Sequence, residues 1–313
     1  MEIVFLLFTL LTLGIIFAGV RNGVERVSRM MMPVLVVLSV IIAAYSVTRP
    51  GALEGVKYFL VPNPANFSWM TVVTAMGQMF YSLSIAMGIL VTFGSYMKKD
   101  VSIEGSTENV EIFDTLIAMM AGLMIIPAVF SFSGGDPDTL QAGPALMFIT
   151  IPKVFESMEL GSLVGVLFFV LVLFAAVTSS IALTESAVST FEDELGWSRK
   201  KAAAVIGIIM VLLGSLSALG YGPLSGVTVI GMQFLDFFDF LTNSVMMPIA
   251  AIATCLLVTS VIGVEKIEEE VTRNGQPFRR KKVFNFMIRT LCPVFAAIIL
   301  VSSVANALGW ISM

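Results

Sequence analysis

The chain has 313 residues, of which 57% are hydrophobic and 13% charged, and its mean hydropathy is +0.95. A soluble globular domain carries about 25% charged residues, so the composition indicates an all-α, polytopic protein with the lipid bilayer as its solvent. The chain has no histidine, which removes the commonest transition-metal ligand and the usual acid–base group near neutral pH. Cys255 and Cys292 lie far apart in apolar runs and suggest neither a disulfide framework nor a thiolate metal site. The formal net charge of -4 is spread over the loops and implies no nucleic-acid partner.

Apolar segments lie near residues 3–20, 30–48, 69–97, 110–133, 161–191, 202–219, 227–263 and 284–311. Each is near or above the roughly 20 helical residues that cross a bilayer, giving about eight spans. Met1-Glu2 supplies no positive n-region, so the first segment reads as a span and not a signal peptide. Basic residues fall in alternate loops: Arg21, Arg26 and Arg29; Lys98 and Lys99; Arg199, Lys200 and Lys201; and Lys266, Arg273, Arg279, Arg280, Lys281 and Lys282. The opposite loops hold only Arg49, Lys57 and Lys153. The positive-inside rule puts the first set in the cytoplasm and Met1 outside.

Two outer loops are longer than a connection needs. One runs from Thr48 to Ser68 with Pro50, Pro62 and Pro64; the other runs from Ser133 to Leu160 and contains Gly134-Gly135-Asp136-Pro137 and Gly143-Pro144. Long ordered loops often serve as lids, although an idle connector reads the same way.

The third segment holds Gly77-Gln78-Met79-Phe80-Tyr81-Ser82-Leu83-Ser84-Ile85-Ala86-Met87-Gly88 at its middle. Ser82, Ser84, Ala86 and Gly88 put hydroxyls and poor helix formers at mid-membrane depth. Irregular backbone is tolerated there only where protein or a polar cavity takes up the freed backbone groups. The segment is either a helix broken at a binding site or an intact helix whose small residues pack against a neighbour.

The fifth segment carries Ala175, Ser179, Ala182, Ser186 and Ser189 at helical spacing, a stripe of small residues that lets another helix approach closely. Thr178 and Ser179, one turn after the Ala175 carbonyl, offer hard oxygens suited to Na⁺. The alternative is that the hydroxyls bond back to the carbonyl one turn earlier and do nothing else. Three acids are out of place in apolar surroundings: Glu185 within this segment, Asp114 in Ile112-Phe113-Asp114, and Asp239 in Phe237-Phe238-Asp239-Phe240. An acid within a span is a functional candidate by default, although Asp114 and Asp239 lie near enough to segment ends to be solvated interfacial acids.

Taken together, Gly77-Gln78 through Ser82-Leu83-Ser84, Gly94-Ser95-Tyr96-Met97-Lys98-Lys99-Asp100, Gly143-Pro144 through Phe148-Ile149-Thr150-Ile151-Pro152, Thr178-Ser179-Ser180-Ile181-Ala182, Glu192-Asp193-Glu194-Leu195 and Phe238-Asp239-Phe240 resemble the neurotransmitter:sodium symporter family, in its bacterial amino-acid-transporting branch. The resemblance covers nearly the whole chain and implies that family's inverted-repeat fold, in which discontinuous helices meet at the bilayer midplane. The eight spans resemble helices four to eleven of the family. Residues 1–48 would then be helices four and five, 49–263 the second repeat with an outer lid at 133–160, and 264–313 a basic cytoplasmic loop and final span. Helices one to three are expected to be missing, through a truncated or split reading frame or a mis-called start.

The resemblance implies Na⁺-coupled symport of a small neutral amino acid by alternating access in the cell inner (plasma) membrane. Ser82 and Asp114 would serve the first Na⁺ site, with Asp114 as the fixed charge that makes chloride unnecessary. Ala175 (through its carbonyl), Thr178 and Ser179 would serve the second. Tyr81, Ser82, Ser84, Met87, Ser179 and Leu183 would line the substrate pocket, with Gln78 and Asp239 at the outer gate and Tyr96 and Asp193 at the inner one. Tyr81 replaces the Phe of some relatives and Ala86 a Gly, which leaves the choice of amino acid open. The alternative reading is a non-transporting membrane fragment that acts as an assembly partner, its missing helices supplied by another polypeptide. An enzyme is not expected, because no nucleophile–base pairing is present.

Overall fold

The computed structural model describes residues 2–136 and 146–310. Pro137, Gly143 and Pro144 of the second outer loop lie outside the described residues. Nearly every apolar segment is helical. In chain order the helices are α1 (Glu2–Phe17), α2 (Arg26–Val47), α3 (Ala52–Leu60), α4 (Trp69–Ser82), α5 (Ile89–Ser95), α6 (Ile103–Ser133), α7 (Ile151–Glu156), α8 (Gly161–Leu195) and α9 (Arg199–Gly220). Two long helical runs, Phe234–Ile262 and Lys281–Ala307, follow, with the short amphipathic helix Val264–Val271 between them.

Among the described residues, six runs are long and apolar enough to cross a membrane: Val20–Val47, Ile103–Ser133, Gly161–Leu195, Arg199–Gly220, Phe234–Ile262 and Lys281–Ala307. The two other segments expected to span take different forms. The first is the 16-residue α1, and the third is divided between α4 and α5.

The chain forms two compact units. One unit comprises Arg21–Phe67 and Glu111–Ser180. Its core joins Leu35, Leu38 and Ile42 of α2, Met124, Ala128 and Val129 of α6, Ile151, Val154 and Phe155 of α7, and Phe168 and Leu171 of α8. The Thr48–Ser68 loop is ordered by α3, which lies directly on α6. A Cβ on Gly55 would stand 2.8 Å from the Pro127 Cα, and the Phe59 ring sits over Gly122 where a Cβ would meet it at 2.2 Å. Tyr58 and Phe130 bring their ring centroids to 5.1 Å beside this contact.

The other unit comprises Met1–Val20, Ser68–Val110 and Ile181–Met313. Here α1 packs against α9 through two glycines: a Cβ on Gly207 would meet Leu13 at 2.7 Å, and one on Gly214 would meet the Phe5 ring at 2.2 Å. Small residues at such crossings let two apolar helices gain close van der Waals contact where lipid supplies no hydrophobic drive. A second cluster joins Phe80 of α4 to Met247 and Ala251 of the Phe234–Ile262 run and Ala296 and Ile299 of the last run.

Candidate functional site

The third segment is broken. Its first half, α4, begins at a reciprocal cap: Ser68 Oγ accepts from the Thr71 N–H, and Thr71 Oγ1 accepts from the Ser68 N–H, both at 3.2 Å. Such a box satisfies two of the orphan donors at a helix start. The helix ends at Ser82, the Leu83 N–H reaching back to Met79 at 3.1 Å and the Ser84 N–H to Tyr81 at 3.0 Å. Ser84 (φ 53°), Ala86 (φ 63°) and Gly88 (φ 78°) are then left-handed. Left-handed backbone costs a non-glycine L-residue roughly 1–2 kcal/mol, so two such residues so close together require surroundings that fix them. Those surroundings are visible: Ile85, Ala86 and Met87 pack against the Phe80, Met247, Ala251, Ala296 and Ile299 cluster.

The second half, α5, is seven residues long and is seated on α8. The Thr92 hydroxyl donates to Ser186 Oγ at 3.4 Å, and a Cβ on Gly88 would come within 2.7 Å of that oxygen. Ser186 of the small-residue stripe on α8 therefore receives the restarted helix, which a bulkier side chain at position 186 or 88 would push away.

Tyr81 is 53% exposed. With Gly77, Phe80, Asn243, Ser244, Met247 and Ser303 it lines a cavity of about 140 Å³. Gln78 is exposed on α4. Asp239 is also exposed and accepts from Asn243 Nδ2 at 2.6 Å on its own helix, and no hydrogen bond joins it to Gln78 among the described residues. Asp114 is half-buried on α6, Ser179 exposed on α8, and Leu183 49% exposed one turn further on. Thr178 Oγ1 donates to the carbonyls of Phe174 and Ala175, each at 3.0 Å. That is the back-bonded geometry, and it also sets two hard oxygens, the hydroxyl and the Ala175 carbonyl, side by side. A donating hydroxyl keeps two lone pairs free to accept or to ligate.

The most deeply buried acid among the described residues is Glu185, whose side chain has no solvent exposure. Arg199, the first residue of α9, closes on it with two nitrogens at 3.0 and 2.5 Å. The Tyr96 hydroxyl donates to the same carboxylate at 2.8 Å. Arg199 also donates to the Ile16 carbonyl at the end of α1 at 3.1 and 3.0 Å and pairs with Glu192 at 3.3 Å. The fork thus ties α1, α5, α8 and α9 together at one end. Of the two residues expected at the inner gate, Tyr96 bonds Glu185 and Asp193 is exposed. Sequence reasoning flagged Glu185 but not its partner. A signal was available: a carboxylate inside a span needs a cation, and Arg199 is the first basic residue after it in the chain.

A nearly all-helical protein with six apolar runs long enough to cross a membrane, and a further apolar segment divided between α4 and α5, has the architecture of a polytopic membrane protein with a broken helix. The profile described as the sodium:neurotransmitter symporter family matches residues 1–309, and the chain belongs to that family. It is 35% identical to an uncharacterized sodium-dependent transporter, YhdH, of Bacillus subtilis (strain 168), over 95% of this chain and 64% of the relative. An uncharacterized sodium-dependent transporter of Haemophilus influenzae is 30% identical over 96% of this chain and 65% of its own. The crystal structure of MhsT in complex with L-phenylalanine superposes with a TM-score of 0.81 at 34% identity, covering 95% of this chain and 66% of that one. The chain thus spans just under two thirds of the length of each of these relatives. Members of this family are transporters and not enzymes.

Proposed function

We propose that the chain serves Na⁺-coupled symport of a small neutral amino acid by alternating access, as a multi-pass protein of the cell inner membrane. The observation that carries this reading is the break between Ser82 and Ile89, where two left-handed non-glycine residues hold a spanning helix open at mid-length. The sodium dependence of the relatives supports Na⁺ as the coupling ion, and the amino acid held by MhsT supports the substrate class. The membrane potential would add roughly 2.3 kcal/mol per charge per 100 mV to the sodium gradient.

In this reading Ser82 and Asp114 are sodium-binding residues, and Asp114 supplies the negative charge for which chloride would otherwise be needed. Ala175, Thr178 and Ser179 bind a second Na⁺. Tyr81, Ser82, Ser84, Met87, Ser179 and Leu183 take the substrate, with Tyr81 as its aromatic cover. Gln78 and Asp239 belong to the outer gate, and Tyr96 and Asp193 to the inner gate.

Because the relatives extend beyond the match, the test protein is a fusion of this chain with the part of the Bacillus subtilis relative outside it. Reconstituted in liposomes, the fusion should concentrate labelled neutral amino acids under an inward Na⁺ gradient and not under an equal K⁺ gradient. Uptake that is indifferent to Na⁺, or that selects a solute other than an amino acid, would overturn the proposal.

A further inference from the structure

We propose that the basic end of the Lys281–Ala307 run binds the headgroup of an anionic phospholipid, with Lys282 and Arg289 holding its phosphate on either side of Phe286. Four acids around this end are already committed. Glu104 accepts from the backbone N–H groups of Arg279 and Arg280 at 3.0 and 2.9 Å. Glu108 pairs with Arg280 at 3.5 Å, Glu270 with Arg273 at 2.9 Å, and Glu268 with Lys281 at 2.7 Å. These contacts pin the loop and neutralise Arg273, Arg280 and Lys281. Lys282 has no ion-pair partner among the described residues, and Arg289 meets Glu268 only through its longer-range field.

The two cations share a face with apolar side chains. Exposed positions recur as Lys282, Val283, Phe286, Arg289 and Thr290, so Phe286 has Lys282 one turn before it and Arg289 one turn after it. Val283 is 60%, Phe286 57%, Val294 49%, Ile298 41% and Val301 67% exposed, so an apolar track leads away from the cations along the span. Only 11% of the most apolar stretch of this run is buried, against 22–33% for the other five. A soluble anion would use the cations and leave the track bare; a phospholipid uses both. Its chains lie along Val294, Ile298 and Val301, and its phosphate meets the Lys and Arg heads, which reach along their own apolar stems to the headgroup level. The positive-inside reading puts this end at the cytoplasmic leaflet, where anionic lipids act on juxtamembrane cations.

The test is native mass spectrometry of the purified chain equilibrated with equal amounts of phosphatidylglycerol and phosphatidylcholine. One interfacial cation strengthens anionic-lipid binding roughly fivefold, so the chain should retain phosphatidylglycerol at least about tenfold in excess. Lys282→Gln/Arg289→Gln should bring the excess below about threefold, each single change accounting for roughly fivefold. Lys282→Arg/Arg289→Lys should keep it, as should Lys98→Gln/Lys200→Gln, which removes the same charge elsewhere. Circular dichroism checks that the helices persist; if the double variant loses them, the single variants decide. The proposal is overturned if the parent shows no preference, or if Lys98→Gln/Lys200→Gln abolishes it equally, which would make the attraction a diffuse property of the basic loops.

Discussion

Thr178→Val offers the sharpest test of the second sodium site. Valine keeps the shape of threonine and removes only the hydroxyl, whose oxygen lies 3.0 Å from the carbonyls of both Phe174 and Ala175. Those carbonyls keep their own intrahelical N–H partners, so without Na⁺ the substitution should cost less than about 1 kcal/mol. With Na⁺ the loss is larger, because an apolar methyl cannot replace an oxygen on a dehydrated cation. A tenfold loss of affinity, about 1.4 kcal/mol, is expected. At a Na⁺ concentration about 100 times the parent's Kd, binding stabilises the folded state by about 2.7 kcal/mol, and a tenfold weaker site leaves about 1.4 kcal/mol. The Na⁺-specific rise in thermal unfolding midpoint of the fusion, measured against equimolar K⁺, should therefore fall by about half. Ser180→Ala is the control, since its side chain leaves the helix about 100° away from that of Ser179. A Thr178→Val protein that titrates like the parent, or a Ser180→Ala protein that is the more damaged, would return these hydroxyls to simple back-bonding.

Further outcomes follow from other sites. Asp114→Asn in the fusion should make uptake chloride-dependent or abolish it; unchanged chloride-independent uptake would make Asp114 a structural residue. Arg199→Met leaves the buried Glu185 carboxylate without its cation and should destabilise the chain by about 3–5 kcal/mol, whereas Glu185→Met/Arg199→Met should recover most of that loss; a double variant no better than the single one would refute the pairing. Gly55→Ala forces a Cβ toward the Pro127 backbone and should cost about 1–3 kcal/mol; unchanged hydrogen exchange over Ala52–Leu60 would contradict the close α3–α6 contact. Lys281, hydrogen-bonded to Glu268 and aided by Asn285, holds the Glu268 carboxyl below the usual glutamate range. The stability this contact gives the loop is present above the ordinary value near 4.3 and is lost as pH falls through the lower folded value. Proteolysis of the loop around Arg273 should therefore rise as the pH falls below the ordinary glutamate range in the parent, and Lys281→Gln should remove that pH step; a step that survives the substitution would assign it to another group.

Much of this protein is local physics and was legible in the sequence. A segment of 20 or more apolar residues must satisfy its backbone internally, which makes it a helix wherever it lies in lipid; α2, α6, α8, α9 and the last two runs follow from that alone. The run Ser82, Ser84, Ala86, Gly88 weakened one such helix visibly enough to mark it, yet an intact helix with a small face fitted the same letters. The structure decided between them: Ser84 and Ala86 are left-handed, and Ala86 with its neighbours Ile85 and Met87 packs against residues far along the chain, Met247, Ala251, Ala296 and Ile299. That Glu185 needs a cation was legible, since an acid within a span requires one, but the full set of groups that meet it was not: the chain's return at the start of α9 brings Arg199 to 2.5 Å, and the Tyr96 hydroxyl joins it at 2.8 Å. The loop from Thr48 to Ser68 read as a lid or a connector, and its docking depends on Gly55 meeting Pro127 and Phe59 covering Gly122. Sequence sets which stretches become helices, since each one's hydrogen bonds are its own. Which side chains meet is set by contacts between distant stretches, where a single glycine or a single buried charge selects among many packings that composition and spacing allow equally.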